Sequence, residues 1–198
     1  MGVLGGSFDP VHHAHLIVAE RAREALGLER VLLVPARVQP LKTGDALSPP
    51  EDRLAMLRLA VAGNPALEVC ELELRREGPS YTADTLAELS LLHPGAEWVL
   101  ILGADAFEQL NRWRRHEDVK RMARIAVVSR PGWPDRGATS PPAQAAVGSA
   151  APVLALEVPA LAISASDIRA RVAGGASIRY LVPEPVREYI VARGLYRE

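Results

Sequence analysis

Histidines and an aspartate crowd one glycine-led stretch near the start of the chain, Gly5-Gly6-Ser7-Phe8-Asp9-Pro10-Val11-His12-His13-Ala14-His15. His12 and His15 stand at i, i+3, so they share a face if a helix begins beside them. The N–H groups that open a helix are unpaired and carry positive potential, a geometry that suits phosphate. Adjacent glycines let the backbone come close to a ligand and take up φ values that other residues avoid. Two plainer readings stay open on these residues alone. The glycine pair could be only a turn, and the two histidines could be metal ligands with their remaining partners supplied from elsewhere in the chain.

The elements around this stretch must position it. Val3-Leu4 reads as a very short strand, and Leu16 to Leu26 as an amphipathic helix, so strand, glycine turn and helix start follow one another closely. Arg30-Val31-Leu32-Leu33-Val34-Pro35 is an apolar run of the kind buried on both faces of a parallel sheet. The loop Ala36 to Pro49 follows the C-terminal end of that strand, where open α/β sheets bind ligands. Its Lys42 is either a solvated lysine or a phosphate contact.

Pro50 to Ala60 predicts a helix with proline and acids at its start and Met56 in the core. Leu67 to Leu74 alternates as a strand does, with Cys70 a structural residue inside it. The next helix opens at Gly78-Pro79-Ser80-Tyr81-Thr82-Ala83-Asp84-Thr85-Leu86, with Ser80 or Thr82 as its cap.

Glu97 to Asp105 is a further buried strand ending in Gly103-Ala104-Asp105. Asp105 either caps a helix or accepts hydrogen bonds from ribose or nearby hydroxyls. Trp113, set among Arg112, Arg114 and Arg115, is not expected to be wholly buried, and His116 reads as a surface or helix residue. Arg124 to Gly132 gives a strand with Arg130 near its C-terminal end. Residues 131–152, rich in Pro, Ala, Gly and Ser, read as a loop. Val153 to Val158 is the last strand. Ser164 is the expected N-cap of the helix that follows, with Asp167 at the capping-box position, and a terminal helix is expected to pack on the body.

Strands alternating with helices predict an α/β fold, a doubly wound parallel sheet of Rossmann type. Its 198 residues predict a single domain over 1–198, with a small C-terminal helical part from about 164 onward. Gly-x-Gly-x-x-Gly is absent, which disfavours a dehydrogenase. Twenty-three basic and 24 acidic residues give a net charge of −1, without the concentrated basic excess of a nucleic-acid-binding protein. No apolar stretch reaches membrane-spanning length. A lone cysteine and no charged leader lead to the expectation of a cytoplasmic protein.

Gly5 to His15 resembles the signature of the nucleotidyltransferase superfamily: a glycine turn, Phe-Asp-Pro, then His-x-Gly-His. Ile163-Ser164-Ala165-Ser166-Asp167-Ile168-Arg169 resembles the second half of that signature, Ile-Ser-x-(Ser/Thr)-x-Ile-Arg. Ala14 departs from the usual glycine, adding a methyl beside the expected triphosphate. Pro40-Leu41-Lys42 matches a Pro-x-Lys, with Leu41 where histidine is common. Ser80 to Leu86 and the closing segment Ile178 to Ile190 are similar to one branch, the nicotinate-mononucleotide adenylyltransferases.

That resemblance implies transfer of AMP from ATP to nicotinate mononucleotide, with Mg²⁺ carried by ATP and no metal ligands in the protein. It implies catalytic roles for His12, His15, Lys42 and Arg169. Gly5, Gly6, Ser7, Phe8, Gly103 and Asp105 would contribute to the ATP site, as would Ser164, Ser166 and Ile168. Ser7, Phe8, Tyr81, Thr82, Ala83, Trp113, Arg114 and Arg130 would form the acceptor side. Nicotinamide mononucleotide and phosphopantetheine are the rival acceptors, and a nucleotide-binding regulator without catalysis is the rival class. No nucleic-acid or membrane partner is expected, and the oligomeric state stays open, a homodimer included.

Overall fold

A computed structural model describes residues 1–40, 47–129, 153–159 and 161–197. Lys42, Arg130 and the proline- and alanine-rich residues 131–152, expected to form a loop, lie outside the described residues. Six parallel strands form one sheet: β1 (Gly2–Gly6), β2 (Val31–Pro35), β3 (Leu67–Val69), β4 (Trp98–Gly103), β5 (Ala123–Ser129) and β6 (Leu154–Glu157). Their order across the sheet is β3-β2-β1-β4-β5-β6. Chain order reverses between β1 and β4, so this doubly wound sheet has its ligand crevice where those strands end.

The apolar runs are continuous because both faces of the sheet are covered. Along the central strands, neighbours point to opposite sides. Leu4, Leu33, Val99 and Ile101 enter one core, with α1 (His13–Ala25), α2 (Pro50–Val61), α7 (Ala165–Ala173) and α8 (Glu184–Arg193). Val3, Leu32, Val34, Leu100 and Leu102 enter the other, with α4 (Thr82–Leu92) and α6 (His116–Met122). The expected core position of Met56 is observed, with no exposed surface. Helix α8 is tied down twice over: Val186 and Ile190 are buried, and buried Asp52 of α2 accepts hydrogen bonds from Tyr189 (2.7 Å) and Arg193 (3.2 Å).

Two local expectations fail for visible reasons. The alternation at Leu67 to Leu74 is not one strand. Pairing with β2 ends at Val69, Cys70 donates its N–H to the Leu33 carbonyl, and the chain then turns into the single-turn helix α3 (Leu72–Arg75). Leu72 and Glu73 are turned inward by that helix, an outcome that alternation alone cannot separate from a strand. Neither Ser80 nor Thr82 caps α4. Tyr81 holds the N-cap position, Thr82 is the first helical residue, and the Ser80 hydroxyl accepts from the Arg37 N–H at 2.9 Å. At α7 the expected cap is observed, Ser164 Oγ accepting from the Asp167 N–H at 3.1 Å.

Candidate active site

The glycine pair works differently from the expectation. Gly5 and Gly6 stay within β1, and the left-handed residue of the turn is Phe8, at φ 49°. Gly6 is needed for space: a Cβ there would lie 3.2 Å from the Phe8 ring, which is itself buried. Phe8 meets the His15 ring edge to face, centroids 4.9 Å apart. Beyond Phe8 the chain passes Asp9, cis-Pro10 and Val11 before His12, in extended backbone, opens α1.

His12 and His15 come together as the spacing predicts. Their rings stack with centroids 3.7 Å apart and planes 23° apart. The His12 N–H donates to His15 Nδ1 at 3.3 Å. A neutral His15 therefore carries its proton on Nε2. Only 5% of His12 is exposed, and its Nδ1 finds no partner among the described residues. Burial, with the nearby His13, pushes its pKa down to about 4. The pair is thus a preformed set of imidazoles, with His12 neutral at neutral pH, at the open end of a helix where phosphate is favoured.

Beneath the histidines lies a network that the motif reading missed. The Asp9 carboxylate accepts from the Tyr196 hydroxyl (2.6 Å) and from the Ser48 N–H (3.0 Å). The Arg169 guanidinium donates to the Asp9 carbonyl at 2.8 Å, joining the start of the chain to α7. Arg53, only 1% exposed, donates to the carbonyls of Ser7 (2.9 Å), Ala36 (2.7 Å) and Ser48 (3.1 Å). Burial lowers its pKa and the Asp9 charge opposes that shift. Burial and the bond to Asp9 push the Tyr196 phenol upward, so it stays a donor. For Arg53 a signal existed: it shares the buried face of α2 with Met56 and Leu57, at i+3 and i+4. Tyr196 had none, since its partner lies at the other end of the chain.

Across the crevice, β4 runs beside β1 with Leu4 opposite Ile101, so Gly6 and Gly103 end at the same edge of the sheet. Gly103 is the N-cap of α5 (Ala104–Glu108), and Asp105 sits exposed in its first turn. A Cβ on Gly103 would fall 2.7 Å from Asp105 Oδ1, so glycine lets that carboxylate lie over the strand end. Ser164 and Ser166, their hydroxyls 3.1 Å apart, are exposed at the start of α7, and Ile168 is fully buried beneath them.

A second cluster forms where α4 begins. Tyr81, Thr82 and Ala83 meet the segment Trp113-Arg114-Arg115 through two contacts. The Arg114 guanidinium lies 4.6 Å above the Tyr81 ring, and Arg115 pairs with Asp84 at 2.9 Å. Trp113 is half-buried against the second core, and His116 begins α6. The structure thus gathers the described candidates into three groups: one on β1, α1 and α7, one at the end of β4 and the start of α5, and one on α4 and the turn before α6.

A doubly wound parallel sheet, a two-histidine helix start at its switch point and a second motif bonded to it define a nucleotidyltransferase architecture. Residues 3–171 match the cytidylyltransferase-like family. A Roseiflexus sp. protein named "Probable nicotinate-nucleotide adenylyltransferase" is 52% identical, over 100% of this chain and 98% of its own. Proteins of the same name from Geobacillus thermodenitrificans and Saccharopolyspora erythraea are 43% and 42% identical, over 99% and 100% of this chain and 85% and 89% of theirs. The solved Plasmodium falciparum nicotinic acid mononucleotide adenylyltransferase complexed with NaAD shares the fold, with a TM-score of 0.77 at 18% identity over 98% of this chain and 96% of that one. The chain belongs to the cytidylyltransferase-like family and, within it, to the nicotinate-nucleotide adenylyltransferases.

Proposed function

We propose that this protein transfers AMP from ATP to nicotinate mononucleotide, yielding deamido-NAD and pyrophosphate, as a step of NAD synthesis in the cytoplasm. The observation that carries the reading is the stacked His12–His15 pair at a helix start, joined to the second motif by the Arg169–Asp9 bond. A phosphate oxygen of the acceptor attacks the α-phosphorus of ATP, and the bond from that phosphorus to the bridging oxygen breaks. Pyrophosphate leaves with the electron pair, and no covalent enzyme intermediate is needed. The nucleophile is already an anion, so the protein's work is alignment and stabilisation of charge.

Backbone N–H groups from Gly6 to Phe8 hold the reacting phosphate. His12 and His15 donate to the triphosphate and to charge growing on the leaving group. Lys42 and Arg169 neutralise its outer oxygens, with Ser164, Ser166 and the first amides of α7 alongside. Gly103 and Asp105 face the nucleoside of ATP. Tyr81, Thr82, Ala83, Trp113, Arg114 and Arg130 receive the pyridine nucleotide, the indole over its ring. ATP enters as its Mg²⁺ complex. The ion stays mainly on the phosphates, because Mg²⁺ keeps its waters and seldom takes an all-protein cage. The whole chain acts as one domain.

Incubation with ATP, Mg²⁺ and nicotinate mononucleotide is expected to give deamido-NAD and pyrophosphate in equal amounts, with activity lost in excess chelator. Product formed only with phosphopantetheine, or none with any acceptor, would overturn the assignment.

A further inference from the structure

Glu73 is a buried acid for which the reaction above has no use. It lies on the single turn α3, is 8% exposed, and faces the first turn of α4. Its Oε1 accepts from the Thr85 hydroxyl at 2.7 Å, and the Ser80 hydroxyl favours the charged form of its carboxyl. Ser80 is fixed twice more: its N–H donates to the Val38 carbonyl and its oxygen accepts from the Arg37 N–H, both at 2.9 Å. Arg37 in turn donates from its guanidinium to the Leu74 carbonyl at 2.9 Å, next to Glu73. Arg76 reaches Thr85 (3.3 Å) and Glu88 (2.6 Å) from the other side. One carboxyl thus holds Thr85, one turn past Tyr81, and acts on Ser80, the residue before Tyr81.

We propose that Glu73 is a positioning residue for the acceptor: by holding Ser80 and Thr85 it fixes the first turn of α4, whose Thr82 and Ala83 N–H groups take the anionic substituent of the pyridine ring. A helix leaves its first N–H groups without intrahelical partners, so their direction depends on what holds the first turn. No side chain caps α4, and Tyr81 at the N-cap contributes only backbone. The rigidity that a Ser, Thr or Asp cap would supply comes instead from behind the helix, through Glu73. Burial raises the carboxyl's pKa while the two hydroxyls and Arg76 oppose the rise, as expected of an acid kept for its hydrogen bonds. The role in binding rests on nicotinate mononucleotide as the acceptor, whereas the hold on α4 does not.

Two measurements on the full-length protein separate these. Amide hydrogen exchange of the unliganded protein is expected to quicken at Asp84 and Thr85, whose N–H groups bond the Tyr81 carbonyl, in Glu73→Ala, with α1 and α7 unchanged. Calorimetric titration with nicotinate mononucleotide is expected to show affinity weakened about tenfold or more in Glu73→Ala, the effect of stranding buried donors. ATP affinity should stay within about twofold, since the triphosphate side does not contact Glu73. Glu73→Gln keeps one acceptor oxygen and should recover part of the loss. If Glu73→Ala fails to fold, Thr85→Val and Ser80→Ala, which keep the acid, should each show the same selective loss in smaller measure.

Unchanged exchange at α4 in a folded variant overturns the positioning role whatever the acceptor proves to be. Faster exchange with unchanged nicotinate mononucleotide affinity, or equal losses for ATP and acceptor, overturns the role in acceptor binding. Wild-type protein that binds ATP and not nicotinate mononucleotide contradicts the acceptor assignment itself.

Discussion

On the side proposed to take the triphosphate, Arg53, Asp9 and Tyr196 are turned inward and spend their hydrogen bonds on one another's loops and on backbone carbonyls. On the proposed acceptor side, α4 and the Trp113 turn meet through the Tyr81–Arg114 contact and the Arg115–Asp84 pair at the surface, with Glu73 and Thr85 buried behind them. Buried ions with full hydrogen bonding are costly to disturb, whereas exposed pairs contribute little. The side proposed to hold developing charge is therefore the one tied down by buried hydrogen bonds. The side that must admit a second substrate is built from short helices and surface contacts.

That contrast can be broken most severely at His15. Its replacement by alanine is expected to lower kcat by ~10²–10³ while acceptor affinity changes little, since one preorganised donor to the transition state is lost. Steady-state kinetics with calorimetry of the acceptor checks this, and unchanged turnover would return His15 to a packing role. Arg53→Met, at a residue only 1% exposed, is expected to cost about 3 kcal/mol of stability, because three backbone carbonyls lose a charged donor. Urea unfolding measures it, and a loss below about 1 kcal/mol would show that water replaces the guanidinium.

The histidine pair also predicts a pH dependence. The folded pKa of His12 lies near 4 and the unfolded value near 6.5, so the unfolded chain binds the extra proton. The contribution is whole above pH 6.5 and is lost as pH falls toward 4, about 3 kcal/mol in all. His12→Asn, which does not titrate, should lose correspondingly less stability than wild type between pH 7 and pH 4.5. Parallel pH curves for the two proteins would contradict the burial argument. Smallest is Arg115→Ala, an exposed partner of both Asp84 and Asp118 whose loss should shift stability by no more than ~1 kcal/mol. A larger shift would place the acceptor side among the rigid parts.

Much of the fold was legible in the sequence, because a strand covered on both faces reads as an unbroken apolar run. Val31 to Pro35 and Trp98 to Gly103 are such runs. The reading failed at Leu67 to Leu74, where a short edge strand and a one-turn helix share an alternating pattern. At the site, the spacing of His12 and His15 foretold their stacking, since a helix start converts i, i+3 into contact. It could not foretell Asp9–Tyr196 or Glu73–Thr85, which depend on how distant segments fold together. Nor did it foretell that Phe8, and not a glycine, would take the left-handed turn. Gly6 is there for the Phe8 ring, a packing demand invisible in local sequence.

We propose that the nicotinate nucleotide is selected as acceptor by the first N–H groups of α4, which no side chain caps. The most direct measurement offers nicotinate and nicotinamide mononucleotide together, at equal concentration, with limiting MgATP, and takes kcat/KM from the ratio of the two dinucleotide products. In the proposed site a carboxylate would gain charge-assisted hydrogen bonds from the first turn of α4, while an amide would turn an N–H₂ toward donors at a cost of ~1–3 kcal/mol. The expected ratio favours the nicotinate product by about one to two decades. Equal amounts of the two products would contradict the carboxylate site.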